Sequence, residues 1–264
     1  YKDTKRMAYW KDVYRFKCSN EYEFKYSGNY GAKGEKRAIK KQATPAQIKK
    51  QNQYNREKNM RRLIKANFEV GDLWTTLKYP FGTRKSVWEV IKDLKRFINN
   101  MRREYKKKNM PFKWIYRIEI GKKGGIHIHF LLNRLQGEAT DVLIQKKWKY
   151  GRVFYTGLYE AGGYEQLASY IVKQPQEQEA EQLSLFPEAE QRELIRYSCS
   201  RNLIRPVAER QVYSRWTVRR LIENGPTATK DYFIDKNSIV YGINPYTGMS
   251  YYRYTEIKIT RNSG

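Results

Sequence analysis

The sequence predicts an α+β fold with an antiparallel sheet, and three observations support this class. Segments with alternating or continuous apolar residues predict strands, and they are mixed with segments whose apolar residues recur at helical spacing. Several neighbouring strand segments are separated by short turns, as antiparallel pairs allow. Apolar residues make up 40% of the 264-residue chain, which is enough to form a core. This mixture of elements is typical of α+β proteins.

The N-terminal part combines predicted strands with a basic helix. Two stretches, 13–17 and 22–26, alternate between apolar and polar residues and predict a hairpin or edge strands. A strongly basic tract follows over 33–65, and Thr44-Pro45 marks a helix start within it. Apolar residues are sparse on this helix. It is therefore predicted to lie on the surface or along a nucleic acid, and a solvated basic face is the alternative.

The middle of the chain has the clearest apolar patterns. Apolar residues at helical spacing predict an amphipathic helix over 86–105. Further strands and helices are predicted at 73–79 (strand), 113–120 (strand), 126–132 (strand), 140–147 (helix), 153–158 (strand) and 164–172 (helix). A glycine- and lysine-rich turn, residues 121–125, joins the second and third of these strands, so the two form a hairpin.

The composition changes at Gln174, where acidic residues and glutamines interrupt a basic chain. This segment predicts a flexible insertion. A basic helix near 215–223 and two strands within 238–259 are predicted beyond it. The chain is therefore expected to contain four regions, listed in order: a basic N-terminal extension (1–66), a core region (67–173), the acidic insertion (174–193) and a C-terminal region (194–264) that packs on or extends the core.

The charge balance predicts a polyanionic partner. Lys and Arg number 53 against 27 Asp and Glu, which gives a net charge of +26. Abundant tyrosines beside basic residues suit single-stranded nucleic acid, although most are interpreted as ordinary sheet residues. The sequence has no apolar run of membrane-spanning length, and no membrane association is expected. Cys18 and Cys199 lack metal-type spacing, so reduced thiols and a cytoplasmic location are expected.

The two histidines of the chain, His127 and His129, lie two residues apart in one predicted strand. Side chains at this spacing project from the same face, so the imidazoles form half of a divalent-metal site. Glu119 on the preceding strand is expected nearly opposite His127 and is the candidate third ligand. An ion pair with Lys or Arg is the alternative for Glu119. Two imidazoles and a carboxylate suit Mg²⁺ or Mn²⁺ engaged with phosphate, and ligand type alone leaves Zn²⁺ possible.

Tyr170 and Lys173 are the candidate catalytic pair. A spacing of three residues puts the phenol and the ammonium on one helical face. A nearby cation favours the phenolate and neutralises a phosphoryl transition state, and tyrosine is a known covalent nucleophile. With 23 tyrosines in the chain, this spacing gains weight only from its position after the histidine strand. Tyr164 is a second candidate nucleophile.

These segments together resemble the HUH endonucleases, and within them the rolling-circle replication initiators of phages and plasmids. His127-Ile128-His129 resembles the family's His-hydrophobic-His motif. Residues 71–79 (Gly-Asp-Leu-Trp-Thr-Thr-Leu-Lys-Tyr) resemble its Thr-rich first motif, and Tyr170–Lys173 resembles its Tyr-x-x-Lys motif. The motif order is that of initiators, whereas relaxases carry the tyrosine before the histidines. The resemblance extends over 67–206 and includes a downstream segment at 198–206.

The resemblance implies a five-stranded antiparallel sheet with flanking helices, of the RRM/ferredoxin-like type, carrying the histidines. It implies that Tyr170 attacks single-stranded or hairpin origin DNA with metal assistance. The products would be a 5′-phosphotyrosine intermediate and a free 3′-hydroxyl that primes synthesis. Glu119 would be the third metal ligand by the same resemblance. Lys122 and Lys123, at the basic tip of the hairpin, are expected to contact DNA.

Two other functions stay open at this point: a single-tyrosine transposase of a mobile element, and a non-catalytic origin-binding protein. No P-loop motif occurs in the sequence, so a fused helicase is not expected and a host helicase would unwind the DNA. The expected setting is a bacterial host cell.

A second motif lies inside the acidic insertion. Gln182-Leu183-Ser184-Leu185-Phe186 resembles the short peptide by which bacterial proteins bind the replicative sliding clamp. Leu and Phe on a flexible segment can fold into an apolar groove of a partner. The alternative is an apolar patch that folds back on its own domain.

Overall fold

The computed structural model of the protein describes residues 8–28, 31–121, 124–158, 161–175, 181 and 183–259. The chain divides into two compact units. Tyr1–Lys50 and Pro206–Gly264 form the terminal unit, and Gln51–Arg205 forms the central unit. Each unit contains a five-stranded antiparallel sheet. The predicted α+β class with an antiparallel sheet is therefore confirmed.

The described residues contain ten strands, numbered here in chain order. They are β1 (Tyr9–Arg15), β2 (Ser19–Tyr26), β3 (Leu73–Lys78), β4 (Trp114–Ile120), β5 (Ile126–Leu132), β6 (Val153–Gly157), β7 (Tyr197–Cys199), β8 (Glu209–Val212), β9 (Tyr232–Asn244) and β10 (Met249–Lys258). The terminal sheet has the order β8-β1-β2-β10-β9, and the central sheet has the order β6-β3-β5-β4-β7.

The helices of the described residues agree in position with the helical patterns of the sequence. They are α1 (Pro45–Asn67), α2 (Val87–Lys107), α3 (Thr140–Lys147), α4 (Glu165–Val172), α5 (Glu188–Ile195) and α6 (Arg219–Asn224), with a 3₁₀ turn at Ala161–Tyr164. The start of α2 has a clear local cause. Ser86 Oγ accepts a hydrogen bond from the Glu89 amide, and the Glu89 carboxylate accepts one from the Ser86 amide. This capping box satisfies two amides that the first helical turn leaves without partners.

The central sheet is covered on both faces, because alternate residues of its strands point to opposite sides. Ile128 and Phe130 of β5 belong to the core that α2 and α3 cover. Leu131, on the other face of the same strand, belongs to a second core with residues of α1 and α4. Residues 127 and 129 share this second face. The alternation therefore directs both histidines to the side of the sheet on which α4 lies.

Helix α1 differs in part from the sequence-based expectation. Its first turns are exposed, as predicted, and Ile48 is among the exposed apolar residues. The expectation of a surface helix is wrong for the second half, where Met60, Leu63 and Ile64 are buried. These three positions follow the i, i+3, i+4 spacing of one helical face. An apolar stripe confined to the last turns thus docks the helix onto the central sheet.

The acidic segment after α4 is partly folded onto the central unit. Leu183 is buried in the core beside α2, and Phe186 packs against the same core. Helix α5 follows, and its Leu194 is buried there as well. These apolar side chains explain why residues 183–195 fold instead of forming the flexible insertion that their acidic, Gln-rich composition predicted. Gln182 lies outside the described residues.

The terminal unit joins the two ends of the chain in one sheet. Strand β2 pairs with β1 on one side and with β10 on the other. Aromatic residues fill the core, and the rings of Tyr22 and Tyr254 stack with their centroids 4.7 Å apart. The thiols of Cys18 and Cys199 are both free, as predicted. Across the described residues, no helix combines the length and the apolar character needed to cross a bilayer.

Candidate functional site

Strand register brings the motif residues of the central sheet onto one face. Strand β4 pairs with β5 so that Glu119 lies opposite His127, which confirms the predicted register. On the other side of β5, β3 places Thr76 opposite His129. Directly opposed residues of an antiparallel pair share a face of the sheet. The candidate ligands therefore emerge together beside α4.

Four of the predicted site residues are in direct contact. The Tyr170 hydroxyl donates a hydrogen bond to Glu119 and lies 2.8 Å from His129 Nε2. Glu119 Oε2 is 2.9 Å from the same imidazole nitrogen. The Lys173 ammonium forms an ion pair with the second carboxylate oxygen of Glu119 and lies 5.0 Å from the centre of the Tyr170 ring. Residues from β4, β5 and α4 thus converge on one hydroxyl group.

His127 stands apart from this cluster. It lines a pocket at the end of the sheet, where its ring packs against Gly121. A Cβ atom at residue 121 would lie 2.8 Å from His127 Cε1, so the glycine permits this close approach. Burial, with smaller effects of Lys78 and His129, lowers the pKa of His127. The imidazole is therefore neutral at pH 7, the form that binds metal ions. Over the described part of the chain, no three His, Cys, Asp or Glu side chains are grouped as a metal site.

The ring of His129 is fixed by two residues of β3 that the sequence analysis did not single out. Trp74 stacks on the imidazole with 5.7 Å between ring centroids, and Thr76 Oγ1 lies 3.2 Å from Nδ1. A hydrogen bond at one imidazole nitrogen orients the other toward its partner. The alternation of β3 contained the signal, since residues 74 and 76 share the face of the histidines.

The carboxyl group of Glu119 is charged at neutral pH. Burial raises its pKa, but hydrogen bonds with His129, Lys173 and Tyr170 together outweigh burial and hold the pKa well below its usual range. The carboxylate is mostly shielded from solvent. The ion pair with lysine, which was the alternative to metal ligation, is present here. A charged carboxylate is also what ligation requires, so the two roles are compatible at this residue.

Arg117 holds the C-terminal end of the helix that carries Tyr170. It is 3% exposed, and its Nη1 donates to the backbone oxygens of Ile171 at 3.0 Å and Lys173 at 2.8 Å. From α1, Gln53 Nε2 donates to the Val172 oxygen at 3.2 Å. The last carbonyls of a helix lack internal partners and favour a nearby cation. Side chains from β4 and α1 therefore close the end of α4 and position its catalytic face.

The remaining predicted residues do not join this cluster. Tyr164 is buried among the apolar side chains beneath α4. In the clamp-like motif, Leu183 and Phe186 pack on the core, whereas Leu185 is 84% exposed. Lys122 and Lys123 lie outside the described residues. The contacts of the site thus come from the strand and helix motifs alone.

The cluster has the parts needed to activate a phenol. The Tyr170 hydroxyl contacts a charged carboxylate and an imidazole nitrogen, and either group is a base that could accept its proton. Lys173 is close enough to favour the phenolate electrostatically. The arrangement therefore suits a nucleophilic tyrosine whose hydroxyl is deprotonated as it attacks.

Comparison with known proteins gives one match. No curated protein and no solved structure matches the chain. A model of the replication-associated protein ORF2 family matches residues 72–175, which is less than half of the chain. The matched stretch starts at the head of β3 and ends just after Lys173, so it contains the entire contact cluster. The central part of this protein is therefore similar to replication-associated proteins, which supports a role in the initiation of DNA replication.

Proposed function

We propose that the protein initiates rolling-circle replication by nicking single-stranded or hairpin origin DNA with Tyr170, as an HUH endonuclease. The observation that carries the proposal is the position of the Tyr170 hydroxyl, 2.8 Å from His129 Nε2 and hydrogen-bonded to Glu119. These three residues come from separate motifs of the stretch that matches the replication-associated family. The net charge of +26 suits the polyanionic substrate.

The proposed reaction is a transesterification. The Tyr170 oxygen attacks the scissile phosphorus, and its proton passes to Glu119 or His129. The bond from phosphorus to the 3′-oxygen breaks, so the upstream strand leaves with a 3′-hydroxyl. The downstream strand stays attached through a 5′-phosphotyrosine bond. Lys173 lies beside the nucleophile, where its charge stabilises the phosphoryl transition state.

His127, His129 and Glu119 are the residues that would hold Mg²⁺ or Mn²⁺. The donor set fits, since a neutral imidazole, a second imidazole and a charged carboxylate share one face of the sheet. When bound, the ion supplies polarisation of the scissile phosphate. Tyr170 and Lys173 engage Glu119 in this structure, so ligation by this carboxylate would exchange some of these contacts.

The proposal predicts a covalent protein–DNA adduct that requires a divalent ion. Single-stranded oligonucleotides from the DNA adjoining the gene are incubated with the protein and Mn²⁺ and run on a denaturing gel. A 3′-labelled strand is expected to migrate with the protein. A 5′-labelled strand is expected to give a shortened product that a polymerase extends. EDTA is the control and should abolish both products.

An adduct that forms equally well in EDTA would contradict metal assistance. Sequence-specific binding with no adduct from any oligonucleotide would contradict the nickase and favour a non-catalytic origin-binding protein. Joining of two different DNA ends, without release of a primer, would favour a transposase.

We propose in addition that residues 182–186 bind the bacterial sliding clamp and that a host helicase unwinds the DNA. Leu185 is exposed, but Leu183 and Phe186 pack on the central unit, so clamp binding requires their release. A peptide spanning 181–187 should bind purified clamp more tightly than the full chain does, because only a fraction of the chain is in the released state. A scrambled peptide is the control. The absence of peptide binding would exclude the clamp as a partner of this motif.

A further inference from the structure

A pocket of about 550 Å³ opens next to His127, at the end of the central sheet where α4 does not extend. Its walls come from the end of β3 and the loop after it, from the β4–β5 turn, and from β6. This volume falls within the range of pockets that hold small organic ligands. The cluster around Tyr170 uses no residue of the pocket, so the pocket needs a separate explanation.

Two phenylalanines line this pocket although each is exposed. Phe81 is 96% exposed on the loop after β3, and Phe154 is 52% exposed on the edge strand β6. Phe154 lies opposite Thr76, which in turn lies opposite His129, so it shares the face of the catalytic cluster. Neither ring contributes to a buried core. Exposed rings of this kind are available to stack on the flat face of a ligand.

The charge around the two rings is positive. Lys78, Arg84 and Arg152 line the pocket, and no acidic residue is among its lining residues, all of which are described. The Lys78 ammonium lies 4.8 Å from the centre of the Phe154 ring. Aromatic rings interleaved with cations suit a ligand with a flat unpaired ring and a nearby negative charge. A nucleotide of a single strand has both features.

We propose that this pocket binds an unpaired nucleotide of the single strand that runs past His127, with its base stacked on Phe81 or Phe154. Lys78 and Arg152 contact the phosphates on either side. The inference rests on the proposed function, because the bound strand is the DNA that Tyr170 attacks. It goes beyond that function in assigning the subsite and its residues.

The test measures binding without cleavage. The full chain and its variants are titrated with a fluorescent oligothymidine in EDTA, and affinity is read from anisotropy. Phe81→Ala and Phe154→Ala are each expected to weaken binding about 10-fold, which is within the range of base–aromatic stacking. Phe81→Trp and Phe154→Trp should retain affinity, whereas Phe154→Leu should lose it because the aromatic face is removed.

The chain offers a matched control for these variants. Trp88 is 52% exposed, like Phe154, but lies on α2, which packs against the opposite face of the sheet. Trp88→Ala should leave affinity unchanged. Salt titration separates stacking from charge. The Phe variants should keep the wild-type slope of affinity against salt, whereas Lys78→Gln and Arg152→Gln should each reduce it by about 0.7.

Unchanged affinity in the Phe81→Ala/Phe154→Ala double variant would overturn the subsite, as would an equal loss in Trp88→Ala. The outcome is independent of the nickase assay. Phe-dependent binding without a covalent adduct would leave the subsite standing and remove the proposed function. An adduct with binding that ignores both phenylalanines would do the reverse.

Discussion

Replacement of Tyr170 by phenylalanine is expected to abolish the covalent protein–DNA adduct. The substitution removes only the hydroxyl that contacts Glu119 and His129, and the ring keeps its edge contact with Trp74. Loss of a covalent nucleophile typically lowers turnover by about 10⁴-fold or more. The measurement is the yield of labelled adduct on a denaturing gel with Mn²⁺ and single-stranded origin DNA. Binding of the same DNA should stay close to that of the wild type.

Tyr164→Phe is the matched control, since Tyr164 immediately precedes α4 and is the second candidate of the sequence. Its side chain is buried among apolar residues, so this variant should form the adduct. An adduct that persists in Tyr170→Phe and disappears in Tyr164→Phe would move the nucleophile to the other tyrosine. An adduct that persists in both variants would show that neither residue is the nucleophile.

Alanine at both His127 and His129 is expected to abolish nicking while DNA binding is largely retained. The two imidazoles are the proposed nitrogen ligands, and Lewis-acid activation worth several kcal/mol corresponds to a rate loss of about 10³-fold or more. DNA binding depends mainly on dispersed positive charge, which this change leaves intact. Adduct yield, anisotropy with the same DNA, and Mn²⁺ binding by calorimetry are measured in parallel.

Calorimetry distinguishes loss of the ion from loss of the fold. The wild type should bind Mn²⁺ and the double variant should not, while circular dichroism stays unchanged. Wild-type adduct formation by the double variant would rule out the histidines as ligands, even if Tyr170 remains the nucleophile. Normal Mn²⁺ binding with lost nicking would assign the histidines a role in handling the tyrosine proton, since His129 Nε2 lies 2.8 Å from the hydroxyl.

Local patterns in the sequence predicted much of the central unit. The strand over Ile126–Leu132 and the helix over Thr140–Lys147 were both predicted with the observed bounds. A short turn fixes the register of the β4–β5 hairpin, so the position of Glu119 opposite His127 was also predictable. Periodicity and turn length are local properties of a chain, and these features depend on nothing else.

Long-range features were beyond such patterns. The pairing of β2 with β10 joins the two ends of the chain, and no local signal identifies that partner. Whether Leu183 and Phe186 face their own core or another protein is equally hidden, because the same apolar side chains serve both purposes. The roles of Trp74 and Arg117 require knowing where α4 lies on the sheet. The sequence could name the motif residues but not the residues that orient them.

The two ends of one short strand segment govern the nucleophile. Arg117 and Glu119 are neighbours on one face of β4, and they bind the backbone end of α4 and the side chains of Tyr170 and Lys173, respectively. For protein engineering, β4 and α4 thus form a single module that must be transplanted together. An insertion of one residue between Arg117 and Glu119 would turn one of them to the opposite face and uncouple the module. The loop that carries Phe81 lies outside it and offers the safer place to redesign which DNA is recognised.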